Sequence, residues 1–124
     1  MRIFKTKWLA RFARHEGITD QSLREAIERA ESGLVDADLG GGLIKLRVAR
    51  QGKGRSGGFR MIVAYRMKDL AVFFYGFAKN DRGNLEPDEL ISARAVAADW
   101  LSADARQIAL LIAENEIQEI PRED

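Results

Sequence analysis

The chain has 124 residues, with 20 basic against 19 acidic side chains, one histidine and no cysteine. That length predicts one domain spanning 1–124 with a core of its own, and the composition excludes disulfides, thiolate metal sites and His-cluster metal centres. No apolar run approaches the roughly 20 residues of a membrane helix, and the basic N-terminus lacks an apolar signal core, so a cytoplasmic protein with no membrane partner is expected.

Taken in order, Arg2–Phe4 reads as a short edge strand or as the lead-in to a helix. Trp8, Leu9, Phe12 and Ala13 recur at helical spacing over Thr6–Arg14, with Lys7, Arg11 and Arg14 opposite, and Gly17 ends the run. Thr19 reads as the N-cap of a second helix. Its buried stripe is Leu23, Ala26, Ile27 and Ala30, with Gly33 just past its end. The spacing predicts an antiparallel helix pair ahead of a sheet. Trp8 and Trp100 read as core, and His15, at a helix end, as a bystander.

The middle changes character. Seven of the eleven glycines fall in Leu39–Arg60, which reads LGGGLIKLRVARQGKGRSGGFR. Ile44, Leu46 and Val48 alternate with Lys45 and Arg47, a strand with one apolar and one cationic face. Gln51–Gly58 reads as a basic hairpin loop. Phe59–Tyr65 and Leu70–Phe77 follow as strands, the second apolar at both parities and therefore central. Pro87 then opens a helix with Leu90, Ala93, Ala97, Trp100 and Leu101 on its buried side. Ser102 restarts a last helix, and Glu114–Asp124 reads as its fraying acidic end. Helix–helix, three strands, helix–helix predicts an α+β fold with an antiparallel sheet.

Charge is distributed unevenly along this order. Leu43–Arg82 holds ten basic residues against two acidic ones, a net +8, whereas Gly83–Asp124 carries −7. Such a separation suits a polyanion at one face. Lys45, Arg47, Arg50, Lys53, Arg55 and Arg60 are interleaved with the glycines, and Lys79 and Arg82 follow the central strand. Converging on phosphates, these cations would bind RNA, with Tyr75 or Phe77 stacking on an unpaired base. The glycines do not spell a P-loop or a dinucleotide fingerprint, since no helix follows them. The acidic pairs Asp36/Asp38 and Asp88/Glu89 read as solvated turn and helix-capping residues rather than metal ligands.

Together with VFFYGFAKNDRGNL downstream, the glycine-and-arginine block resembles the RelE/HigB-type toxins of bacterial type II toxin–antitoxin modules, over nearly the whole chain. The resemblance implies two N-terminal helices packed on a small, partly barrel-like antiparallel sheet, followed by C-terminal helices. It implies a toxin that cuts messenger RNA on the ribosome without metal or other cofactor and is silenced by a cognate helix-turn-helix antitoxin. It assigns Lys45, Arg47, Arg60, Lys79 and Arg82 as catalytic, and leaves Arg50, Lys53, Arg55 and Tyr75 to hold substrate. The tyrosine that RelE itself carries after the last basic pair has no counterpart in Gly83–Glu86. Tyr75, Asp81 and Glu86 therefore stay open as acid–base groups, with Lys45 or Lys79 as a further proton acceptor. Two other readings accompany this one: a ParE-like toxin that inhibits a protein such as DNA gyrase, and an RNA-binding module without catalysis.

Overall fold

The chain opens with a strand rather than a helix. The computed structural model describes residues 1–50 and 54–121, with side chains described except at positions 50 and 54–57. β1 (Arg2–Thr6) leads directly into α1 (Lys7–Glu16) and α2 (Asp20–Glu31), followed by β2 (Ala37–Gly40), β3 (Leu43–Arg50), β4 (Gly54–Arg66) and β5 (Leu70–Ala78). α3 (Pro87–Leu101), α4 (Ala105–Ala113) and β6 (Ile117–Ile120) complete the order. The helix boundaries have local causes. Thr6 Oγ1 accepts the Leu9 N–H at 3.2 Å, Gly17 turns left-handed at φ 70°, and Thr19 Oγ1 accepts the Ser22 N–H at 3.1 Å. Each satisfies a backbone group that a helix end leaves open.

The strands form one six-stranded sheet in the order β2-β3-β4-β5-β1-β6. All neighbours are antiparallel except β1 and β5, which run parallel with Phe4 beside Val72. β1 is therefore an inner strand, neither an edge nor a mere lead-in. The sheet is open, with β2 and β6 at its edges, and the α+β class stands with three strands more than the sequence pattern suggested. The predicted fraying end supplies β6, because Ile117 and Ile120 are buried against the rest of the sheet. The last helix is restarted by Asp104, whose Oδ1 accepts the Gln107 N–H at 2.9 Å, while Ser102 caps the end of α3.

Alternation on the pleat gives the sheet two apolar faces. On one, Ile44, Leu46, Val48, Phe59, Met61, Val63 and Phe73 pack with Leu9 and Ala13 of α1 and Leu23, Ala26 and Ile27 of α2. On the other, Leu43, Ile62, Ala64, Leu70 and Val72 pack with Ala93 and Ala97 of α3 and Ile108 of α4. Two glycines permit this closeness. A Cβ on Gly76 would lie 2.8 Å from Met61 Sδ and 3.0 Å from the Phe12 ring. Gly42, at φ 82°, leaves room for Leu101, and Arg66 and Arg94 donate to the Leu101 and Leu39 carbonyls at 2.6 and 2.7 Å. α3 is thus fastened over one part of its face.

Candidate nucleic-acid interface

On the α3 face, the apolar stripes of β3 and β4 continue as cationic side chains. Leu43 is followed by Lys45 and Arg47, and Ile62 is preceded by Arg60, at the period of two that keeps them on one side. Register then sets two rows across the sheet: Lys45, Ile62 and Tyr75, and beside it Arg47, Arg60 and Phe77. Three of the sequence-predicted cations are therefore assembled by strand pairing alone.

Asp36 sits among them. Its backbone N–H bonds the Lys45 carbonyl at 2.9 Å, which extends the β2–β3 pairing by one residue. Its carboxylate lies 2.6 Å from Arg47 Nε, 3.4 Å from Lys45 Nζ and 3.6 Å from Arg60 Nε. The Arg60 side chain is only 5% exposed and that of Asp36 8%, whereas that of Arg47 is 50% exposed. Burial pulls the Arg60 guanidinium below its ordinary value, partly offset by Asp36, with Arg47 adding to the fall. Burial alone would raise the Asp36 carboxyl. The hydrogen bond from Arg47 and the charges of Lys45 and Arg47 outweigh it and hold the group below the usual carboxylate range. Asp36 is therefore not the solvated turn residue expected from its place in the sequence but a buried carboxylate facing three cations. A lone aspartate after a helix carries no sequence signal for three cations, because the pairing that brings them together is long-range.

The segment after β5 closes the rim. Arg82, expected in the catalytic set, bonds both carboxylate oxygens of Glu89 at the start of α3, donates to the Asn84 carbonyl at 2.9 and 3.1 Å, and lies 5.4 Å over the Phe77 ring. The Glu89 hydrogen bond raises the Arg82 pKa, with a smaller contribution from the Tyr75 hydroxyl. Arg82 thus clips a loop, and through it Asn84 is presented to Lys45, whose ammonium donates to Asn84 Oδ1 at 2.7 Å. Asn84 was missed by the sequence reading. Asp38 does serve a turn, accepting the Gly40 N–H at 2.9 Å.

Lys79 is exposed at the exit of β5, its backbone N–H on the Gly58 carbonyl at 3.0 Å. Lys53 and the side chains of Arg50 and Arg55 lie outside the described residues. Tyr75 is half-buried, its ring 5.0 Å from Trp8 and 6.1 Å from Phe77. Trp8, expected in the core, is 44% exposed and stacks on Phe12. Its indole walls a cavity of about 460 Å³ lined also by Ile62, Phe74, Tyr75 and Leu85 and, from the start of α3, by Asp88 and Glu89. Ile62 and Tyr75 stand in the same row as Lys45, so the aromatic-lined cavity adjoins the cations. Of the three open acid–base candidates, Tyr75 stands on this face. Asp81 lies in an exposed turn, and Glu86 caps α3.

The molecule is thus a small α+β domain whose sheet carries Lys45, Arg47 and Arg60 around one buried carboxylate. The family model described as the RelE toxin of the RelE/RelB toxin–antitoxin system matches residues 1–120. The chain belongs to that family and is the toxin of a toxin–antitoxin pair, which implies an antitoxin partner. No curated protein matches the chain. Among the described residues, no helix is long and apolar enough to cross a membrane.

Proposed function

We propose that this toxin is a metal-independent endoribonuclease that cuts ribosome-bound messenger RNA, with Lys45, Arg47 and Arg60 as its phosphate-binding and charge-stabilising groups. The observation that carries the reading is the convergence of these three cations on one point of the sheet, at Asp36, with Arg47 half exposed beside the buried Arg60. A 2′-hydroxyl gives up its proton to a base and attacks the adjacent 3′-phosphodiester, the 2′-O–P bond forms and the P–O5′ bond breaks. The products are a 2′,3′-cyclic phosphate and a 5′-hydroxyl that takes up a proton. Negative charge accumulates on the phosphoryl oxygens on the way, and pre-placed cations in a dry site stabilise it most. Tyr75 supplies a hydroxyl on the same face for proton transfer, and the cavity beside it accepts a base. Lys79 contributes at the margin, and Arg82 acts by holding Asn84 and the loop. Arg50, Lys53 and Arg55 extend the contact to flanking phosphates.

Expression in bacteria should arrest growth, and co-expression of the antitoxin should relieve it. On programmed ribosomes, purified toxin should cut the message in the presence of EDTA and leave cyclic phosphate ends. A single 2′-deoxy substitution at the cut position should stop cleavage there. Growth arrest with intact message and blocked DNA supercoiling would instead support the gyrase-type reading.

A further inference from the structure

We propose that Asp36 is a positioning residue, an internal counter-ion that gathers Lys45, Arg47 and Arg60 on one point and, by lowering their summed charge, weakens the hold on the bound substrate. The inference rests on the endoribonuclease reading and deepens it. Three like charges on adjacent strands repel one another, and Arg47 and Arg60 are direct cross-strand neighbours. One carboxylate within 2.6 to 3.6 Å of all three offsets that repulsion and draws them to a common point.

The charge count follows. Three cations and one carboxylate leave the cluster at +2. A phosphodiester in the ground state carries one negative charge, and the five-coordinate phosphorus of the transition state carries about two. Any cationic site gains more from the transition state than from the substrate, and only that difference accelerates the chemistry; it is realised only while the three cations face one phosphorus, which is what Asp36 secures. Without Asp36 the site would be +3 and would hold ground-state RNA more tightly. Its cations, no longer tied to one acceptor, would spread.

Asp36 is poorly suited to the role of general base. Its carboxyl is held below the ordinary range by the cations that surround it, so it resists taking the 2′-hydroxyl proton. Its oxygens are already engaged by Arg47, Lys45 and Arg60. Acting on the cations rather than on the substrate is the role this geometry allows.

The test is Asp36→Asn, which keeps an acceptor oxygen for Arg47 and removes the charge, beside Asp36→Glu. Affinity is read by anisotropy on a 2′-O-methyl RNA oligonucleotide, which cannot be cut, across a salt series. Single-turnover cleavage on programmed ribosomes is read in parallel, below the melting range of each variant. Asp36→Asn should bind the oligonucleotide more tightly, with a log–log salt slope steeper by about 0.7 as one more cation becomes free for phosphate. Its cleavage rate should fall about a hundred-fold, the scale of an ångström-sized misplacement of a catalytic group. Asp36→Glu should recover part of the rate and return the affinity toward wild type. A residue that merely supported the fold would lower affinity and rate together. Unchanged affinity and salt slope in Asp36→Asn overturn the proposal, whether or not the rate falls, and a lone rate loss would mark Asp36 as the base. Were the wild type to cut no RNA at all, the endoribonuclease reading would fail while the oligonucleotide series still decided whether Asp36 opposes anion binding.

Discussion

At the scale of single residues, position on the sheet decides which cations matter. Leu43–Arg82 holds ten basic side chains, yet they do not share one site. Lys68 lies in the turn between β4 and β5, at the opposite end of β4 from Arg60, about 20 Å away along the strand. It is also one of two non-glycine residues with positive φ among those described, at 77°. A left-handed backbone costs an ordinary residue roughly 1–2 kcal/mol, and glycine loses roughly 0.5–1 kcal/mol of that gain to unfolded-state entropy. Lys68→Gly should therefore raise stability by about 0.5–1 kcal/mol in a urea melt and leave RNA affinity and cleavage unchanged. A substantial loss of cleavage would show that the basic segment acts by bulk charge and not by geometry.

Among the elements, the loop between β5 and α3 depends on one ion pair. Arg82 and the Glu86 N–H both bond Glu89, and these bonds hold its carboxyl at about 2, well below its ordinary 4.5. A depressed carboxyl stabilises the folded state above its unfolded pKa and loses that contribution as pH falls through the folded value. The contribution should be intact above pH 4.5 and lost between 4.5 and 2. Glu89→Gln should flatten that part of the acid limb in melts recorded against pH, and should weaken cleavage at neutral pH by loosening Asn84 beside Lys45. An acid limb identical to wild type would mean the clip is not formed in solution.

The elements also show where the sequence was readable. α1, α2 and α3 announce themselves by apolar spacing, by the cap Thr19, by Pro87 in a first turn and by Gly17, all of which are local. β3, β4 and β5 do so by alternation and by aromatic and β-branched content. β1 and β6 are four or five residues long and carry charges, and they become strands only because β5 offers β1 a parallel edge and β1 then offers one to β6. The cations were legible as an alternation opposite Ile44, Leu46 and Val48. Asp36 and Asn84 were not, since each joins the site through a partner far along the chain.

For the molecule as a whole, two helical layers clamp one sheet, and the proposed polyanion site lies on the α3 side of it, at Lys45, Arg47 and Arg60. Charge separation along the chain puts the basic strands in the middle and the acidic residues in and after α3, which keeps the molecule near neutral while one face stays cationic. The role proposed for Arg60, buried on that face, is to carry transition-state charge in RNA cleavage. It is tested most directly by single-turnover cleavage of message on programmed ribosomes with Arg60→Ala, beside its thermal melt and beside Lys68→Gly. Removing one such electrostatic contact costs about 2.7–4 kcal/mol of transition-state stabilisation, roughly a hundred- to a thousand-fold in rate. Arg60→Lys, which cannot bind a phosphate through two parallel hydrogen bonds, should recover only part of it. The expected result is that loss in a protein that still melts cooperatively, with the Lys68 variant cutting as wild type; Arg60→Ala cutting at the wild-type rate would contradict the placement of the site.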